Sequence, residues 1–258
     1  MKSNKDRIGE KNYSKFGSEM IIIDYKNNRD IDVYFTEYDW TAKGVQYSNF
    51  KGGNIKCPYE RRYYRIGYIG EGKYKVSENG KLTRVYKTWY NMIRRCYDEK
   101  FQEKHPTYIG CAVYEEWHNF QNFTEWYDNN YYEIEDEIME LDKDILIKHN
   151  KIYSPETCIF VPQTINSLFI KNDKNRGESV IGTTPFQGKY VTQCNMINPE
   201  TGKSKQKYLG LYSTQEKAFE AYKYYKEKNI KVVADYFKDL IPERLYNAMY
   251  NYEVEIID

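Results

Sequence analysis

Residues 141–169 read LDKDILIKHNKIYSPETCIFVPQTINSLF, and the reading of the whole chain turns on them. Leu141 to Ile147 is a strand-like run, with Asp142 and Asp144 on one side if it alternates strictly. His149-Asn150-Lys151 makes a turn, and Ile152 to Val161 returns as a second extended segment. Pro162 to Phe169 then starts a short helix. The local order is strand, turn, strand, helix.

Upstream, Tyr86 to Tyr97 reads as a helix, because Trp89, Met92, Ile93 and Cys96 recur at helical spacing. Arg94 and Arg95 lie on its other side and are candidate DNA contacts. A second helix is predicted from about Val113 to Tyr127, its apolar face supplied by Trp117, Phe120, Phe123 and Trp126. Residues 128–144 follow with eight acids and one base, a solvated face or a surface for a protein partner. Before these helices, residues 19–80 read as short strands punctuated by glycines, a small and barrel-like β module. Its Lys51, Lys56, Arg61, Arg62 and Arg65 are placed either on a solvated rim or against phosphate. Residues 1–18 form a polar lead-in with no apolar leader segment.

Downstream, residues 171–180 (KNDKNRGESV) have the composition of a linker. In the last zone, 181–258, Lys189 to Cys194 is a strand, Asn198 to Gly202 a turn, and Lys203 to Leu211 a basic strand. Ser213-Thr-Gln-Glu216 is a capping box opening a helix whose Ala218, Ala221, Tyr222 and Tyr225 share a face. The fold class is therefore α+β and modular: a β module (19–80), a helical and ββα module (81–170), and a sheet-plus-helix module (181–258).

Composition narrows the function classes. The chain of 258 residues carries 39 Lys and Arg against 38 Asp and Glu, so it is not a uniformly basic binder. Residues 171–212 nevertheless hold seven bases and three acids, and local sign matters more than the total, since screening confines each field to about 8 Å. The 29 tyrosines suit cores, base stacking or phosphate contacts, though AT-rich coding raises tyrosine as well. Cys57, Cys96, Cys111, Cys158 and Cys194 are scattered, which indicates neither a zinc knuckle nor a disulfide framework and fits a reducing cytoplasm. No apolar run approaches the roughly 18 residues of a membrane span.

The middle zone resembles a known family. W-x-x-M-x-x-R-C-Y (89–97), V-x-x-x-W-x-x-F-x-x-F-x-x-W (113–126), L-D (141–142), Y-S-P-E-x-C (153–158) and an Asn in the following helix are similar to phage-borne HNH homing endonucleases. The resemblance covers about 85–170. It implies a ββα-metal fold, double-stranded DNA as partner, the cytoplasm of an infected bacterial host, and Mg²⁺ or Mn²⁺ as cofactor. Asp142 matches the metal-binding carboxylate and Asn166 the second ligand; both are oxygen donors, as a hard cation requires. Two positions depart from the pattern. Thr157 stands where an Asn ties the loop, and a hydroxyl replaces only some of those bonds. Lys143 stands where a His general base is common; a lysine near its ordinary pKa of about 10.4 is a poor base but can hold phosphate or transition-state charge. His149 is the alternative base.

The last zone has its own resemblance. G-K-Y-V-T-Q-C (188–194), then Lys207, Leu209-Gly210, Tyr212, Thr214, Glu216, Ala218, Ala221 and Tyr222, is similar to AP2 domains. That implies a three-stranded antiparallel sheet on a helix, with the sheet in the major groove. The residues expected to face DNA are Lys189, Tyr190, Thr192, Gln193, Lys203, Lys205 and Lys207. The N-terminal β module looks like one that accompanies such phage proteins. Two functions follow: a metal-dependent DNA endonuclease, or a DNA-binding regulator or anti-defence protein that retains the shape without cutting. Oligomeric state and target site are not legible.

Overall fold

The computed structural model describes residues 7–170 and 179–256. The chain is α+β with several small sheets and forms two compact units: residues up to Asn129 with Ile152–Ser154, and Asn130–Lys151 with Pro155 onward.

In the first unit, β1 (Lys11–Tyr13), β2 (Glu19–Asn27), β3 (Asp30–Phe35) and β4 (Trp40–Val45) pair in chain order, all antiparallel. β3 shows the expected alternation, with Ile31, Val33 and Phe35 fully buried and the residues between them half-buried. With Met20, Ile22, Phe50, Ile55 and Cys57 they make the core of this sheet. The sheet differs from the barrel-like expectation. β1 and β4 are both edges, so it is an open meander, and β1 falls within the stretch expected as a lead-in. After α1 (Tyr47–Lys51) the chain runs with little regular structure to the short β5 (Ser77–Glu78) and β6 (Lys81–Leu82) hairpin.

α2 (Arg84–Tyr97) starts where Thr83 accepts a hydrogen bond from Tyr86 N (3.2 Å), satisfying one of the helix's free amide donors. Its Trp89, Met92, Ile93 and Cys96 are buried as the spacing predicts, and Trp89 Nε1 donates to Trp117 O (2.7 Å). Asp98 ends α2 and caps α3 (Glu99–Lys104). The second predicted helix is broken. Residues 115–118 form a 3-10 turn, Asn119 is extended, and α4 (Phe120–Asn130) begins after it. The side chain of Asn119 accepts from Gln121 N (3.0 Å), a local bond that competes with helix continuation. β7 (Ala112–Val113) pairs in parallel with β9 (Ile152–Tyr153).

In the second unit, β8 (Met139–Asp142) pairs antiparallel with β10 (Ile159–Pro162), and α5 (Gln163–Asn166) follows directly. The strand-strand-helix order stands, with two corrections. The second extended segment, expected over Ile152 to Val161, is split by a turn at 155–157 into β9, which pairs with β7, and β10. Residues 143–147 are not strand, and the first strand begins earlier than expected, at Met139. β11 (Thr183–Phe186), β12 (Lys189–Ile197) and β13 (Ser204–Tyr212) form a three-stranded antiparallel sheet. α6 (Gln215–Phe237) and α7 (Glu243–Tyr250) complete the unit. The cap of α6 is Thr214, one residue later than expected, accepting from Lys217 N at 3.3 Å.

α6 has two packing halves. Its first half, with Tyr222 buried and Phe219 and Tyr225 beside it, packs on Cys194, Met196 and Leu209 of the sheet. Its second half, through Ile230, Val233, Ala234 and Phe237, joins Ile145, Ile159, Val161, Ile165 and Leu168 in a larger core. Between them Asn229 accepts from Ile197 N (2.8 Å) and donates to Ile197 O (3.0 Å), pinning the end of β12 to the helix. One helix thus serves both the hairpin and the sheet. The boundary expected at 171–180 lies inside this unit, and 171–178 lie outside the described residues.

Candidate functional site

Pleating puts Glu140 and Asp142 on the same side of β8, across from Val161 and Ile159, which belong to the core shared with α5. Asn166, the last residue of α5, reaches the same side: its Nδ2 donates to the Glu140 carboxylate. With the nitrogen so fixed, Oδ1 of Asn166 is the atom left to accept or to ligate. Asp142 Oδ1 accepts from the backbone of Asp144 and Ile145, both at 2.7 Å. Those two bonds turn the chain out of the ladder, which is why the strand stops at Asp142. Burial pushes the Asp142 carboxyl above the usual carboxylate range, opposed by the same two bonds.

The donors here are two carboxylates and one amide oxygen. No cluster of three or more His, Cys, Asp or Glu side chains able to hold a metal occurs among the described residues. An all-oxygen set with few protein ligands still fits a hard divalent ion, whose remaining positions go to water or phosphate. Glu140 had escaped the sequence reading. It lies two residues before Asp142, a spacing that marks a shared strand face only once the strand's true start is known.

The other residues expected at this site take different places. Lys143 is buried (6% exposed), and its ammonium donates to Asp144 and to Asn150 O (2.8 Å). Asn150 Nδ2 returns a bond to Lys143 O (2.8 Å), so the pair closes the loop over 143–150. Lys143 is therefore a loop tie, contrary to the expected phosphate or transition-state contact. His149 has φ +60° and an exposed ring, with Nε2 3.5 Å from the Glu255 carboxylate. No hydrogen bond links it to Asp142 among the described residues, so the expectation of a base there finds no support. Thr157 is half-buried and ends the turn that leads into β10.

The three-stranded sheet sorts its candidates by face. Thr192, Cys194 and Met196 point toward α6; Thr192 is fully buried and donates to Ala218 O (3.0 Å). Thr192 and its same-side neighbour Tyr190 thus leave the expected DNA face. Between Thr192 and Gln193 the register with β13 shifts: Thr192 pairs with Gly210 but Gln193 pairs with Tyr208, leaving Leu209 as a bulge. A one-residue slip exchanges the two faces of everything beyond it. Lys207 accordingly pairs with Cys194 and Lys205 with Met196, on the helix side, and the Lys207 ammonium lies 4.4 Å from the Tyr225 ring centroid. Both lysines remain exposed at their tips, but they do not belong to the open face.

That open face carries Lys189, Val191, Gln193 and Asn195 of β12, with Phe186, Gln206, Tyr208 and Leu211 beside them. Phe186, Tyr208 and Leu211 are about half exposed, large apolar surface with nothing over it among the described residues. Lys203 is exposed in the turn before β13. Alternation counted back from Tyr212 puts Gln206 and Tyr208 on the helix side, and the strand expected over Lys189 to Cys194 stops one residue short of Asn195, whereas β12 runs on to Ile197.

Arg94 and Arg95, expected on DNA, are half-buried and engaged within their own unit. Arg94 bonds Asp98 (3.3 Å) and stacks 4.7 Å from the Phe101 centroid; Arg95 lies 5.5 Å from that of Tyr108. No described helix is long and apolar enough to cross a membrane. No known protein family, no curated protein and no solved structure matches the chain. The likeness to HNH and AP2 families rests on the spaced residues quoted above.

Proposed function

We propose that the protein is a sequence-selective DNA-binding endonuclease of the HNH homing type, with a metal-dependent site at Asp142 and Asn166 and a reading surface on the three-stranded sheet. One observation carries the cleavage reading. Asn166 is drawn to the strand face that holds Glu140 and Asp142, with its amide nitrogen already committed to Glu140. Asp142 and Asn166 would hold Mg²⁺ or Mn²⁺, and such an ion stabilises the charge that builds on a cleaved phosphodiester. Glu140 orients the Asn166 amide. The Asp144 and Ile145 amides fix the Asp142 carboxyl, so neither ligand has to be ordered when DNA arrives.

Specificity belongs to the open sheet face. A β-sheet fits the major groove, about 12 Å wide, and Gln193, Asn195 and Gln206 are amides able to read base edges. Phe186 and Leu211 offer apolar contact to thymine methyl groups, and Lys189 and Lys203 supply phosphate contacts.

One observation favours a second reading, a DNA-binding regulator or anti-defence protein that does not cut. Lys143 occupies the position of a general base and is locked into the loop. Plasmid nicking with Mg²⁺, Mn²⁺ and chelator controls separates the two. Metal-dependent nicking abolished by Asp142→Asn supports the nuclease. Tight, selective duplex binding with no cleavage under any divalent ion supports the regulator.

A further inference from the structure

The most basic stretch of the chain is not the one the proposed function uses. Residues 51–97 hold twelve bases and three acids, a net +9 that leaves the other 211 residues at net −8. Several of these charges are engaged locally: Arg62 lies 4.0 Å from the buried Glu60 carboxylate, and Arg94 bonds Asp98. Arg61, Arg65 and Lys87 are different. They are exposed and form no salt bridge among the described residues.

Arg65 sits at the tip of a tight turn. Tyr63 N donates to Gly67 O (3.1 Å), and Ile66 N and Gly67 N donate back to Tyr63 O (3.0 and 2.9 Å). The two central residues, Tyr64 and Arg65, have φ of +54° and +60°. Positive φ at both is the pattern of a type I′ turn, where Asn-Gly is the relaxed choice and Tyr-Arg is strained. The tip is held rigidly all the same. The Tyr64 and Tyr90 hydroxyls are 2.9 Å apart, and Tyr63 packs against Trp89 and Tyr86, with ring centroids at 5.1 and 6.2 Å. Lys87 and Asn91 flank Tyr90 along the exposed side of α2. A strained turn is thus braced on a helix with a cation at its apex, while Lys87 lies three residues before the bracing Tyr90 on that helix and Arg61 lies two residues before the turn in the chain.

We propose that this tip and the adjoining face of α2 form a second DNA-docking surface, which grips the phosphates of duplex DNA through Arg61, Arg65 and Lys87. The inference rests on the reading of the protein as a DNA binder and adds a contact outside both modules assigned to that role. Fixed cations on a rigid base suit a regular phosphate backbone. Tyr63, Tyr64, Tyr86 and Tyr90 are half-buried and packed on one another, so they are not free platforms for unstacked bases, which disfavours a single strand.

The test measures duplex binding by the full chain in EDTA across a salt series, with plasmid nicking in Mg²⁺ assayed separately. The triple variant Arg61→Ala/Arg65→Ala/Lys87→Ala should bind about tenfold or more weakly near 0.15 M salt. Its log–log salt slope should flatten by about 2.7, at about 0.9 per lost contact. Arg65→Gly should flatten it by about 0.9 while the melting temperature holds or rises, since glycine relaxes the positive φ. A triple variant with the wild-type slope overturns the surface and leaves the nuclease reading standing. A wild type that binds duplex but never cuts, with the slope shift present, keeps the surface and sinks the nuclease. A wild type that binds no duplex sinks both. A fall in melting temperature for Arg65→Gly would mark Arg65 as structural and overturn its role.

Discussion

The hairpin of β8 and β10 and the sheet of β11 to β13 lie in one compact unit and share a helix, yet they treat polar side chains in opposite ways. The hairpin turns its polar residues inward: Asp142 and Lys143 are tied to neighbouring backbone, and Asn166 to Glu140. The sheet turns its amides outward, with Gln193 and Asn195 exposed on the face away from α6. An inward carboxylate in a partly desolvated site is costly unless bonded or coordinated. An outward amide row costs little and waits for a partner. The first arrangement is suited to holding an ion in place, the second to reading a surface.

The largest expected effect breaks the hairpin half of this comparison. Asp142→Asn keeps an oxygen for the Asp144 and Ile145 amides and removes the charge. Nicking should fall by more than the roughly 10–100-fold that loss of a supporting partner costs, with little change in stability. Asp142→Ala also removes the cap on the turn and should lower stability by about 1 kcal/mol as well. Glu140→Gln should fall in the 10–100-fold range, since it disturbs only the orientation of Asn166. Equal activity of Glu140→Gln and wild type would remove Glu140 from the site.

The shared helix gives the next effect. Asn229→Ala leaves both the amide and the carbonyl of Ile197 unmatched in a buried place. The cost should be about 2–6 kcal/mol, at about 1–3 kcal/mol for each of the two stranded groups, read from denaturant unfolding. Hairpin and sheet signals should unfold together, because α6 belongs to both cores. Separate transitions would show that the two are independent modules after all.

A third comparison sharpens the sheet. Gln193→Ala with Gln206→Ala should cut discrimination between target and non-target duplex by about 1–3 kcal/mol per lost base contact. Lys205→Ala with Lys207→Ala should leave discrimination unchanged, being on the helix side of the bulge. The reverse result would return the lysines to the interface.

Much of this organisation was legible in the sequence, and what was not has a common cause. Helix α2, the alternation of β3 and the strand-strand-helix order followed from local periodicity, since each is decided by residues within one turn or one strand of each other. The two chief misplacements, the end of β8 and the outward face of β13, are both register effects. Asp142 ends its strand by bonding the residues after it, so Ile145 enters the core from a bend instead of a ladder. Leu209 enters β13 as an extra residue beside Gly210, whose φ of +139° few other residues accept. Neither event leaves a trace in hydrophobic period, because apolar residues remain at nearly the same positions on both sides of it. Pairing partners decide them, and these come from elsewhere in the chain.

The smallest effect concerns a residue outside both regions and asks whether the first unit has a separate response to pH. His118 is half-buried, with Nε2 3.1 Å from Val113 O and burial holding its pKa below 6.5. A histidine whose folded pKa is depressed is neutral in the native state while the unfolded chain takes up a proton. Its stabilising contribution is present above about pH 6.5 and is lost as pH falls toward the folded value. Unfolding of the first unit should therefore become easier between pH 7 and pH 5, by no more than about 1.4 kcal/mol per pH unit, the limit for one proton. His118→Gln keeps a donor for Val113 O and should flatten that part of the profile. The second unit has only one histidine, His149, exposed beside Glu255. A pH response of equal size in both units, or one that survives His118→Gln, would trace the acid sensitivity to the carboxylates instead.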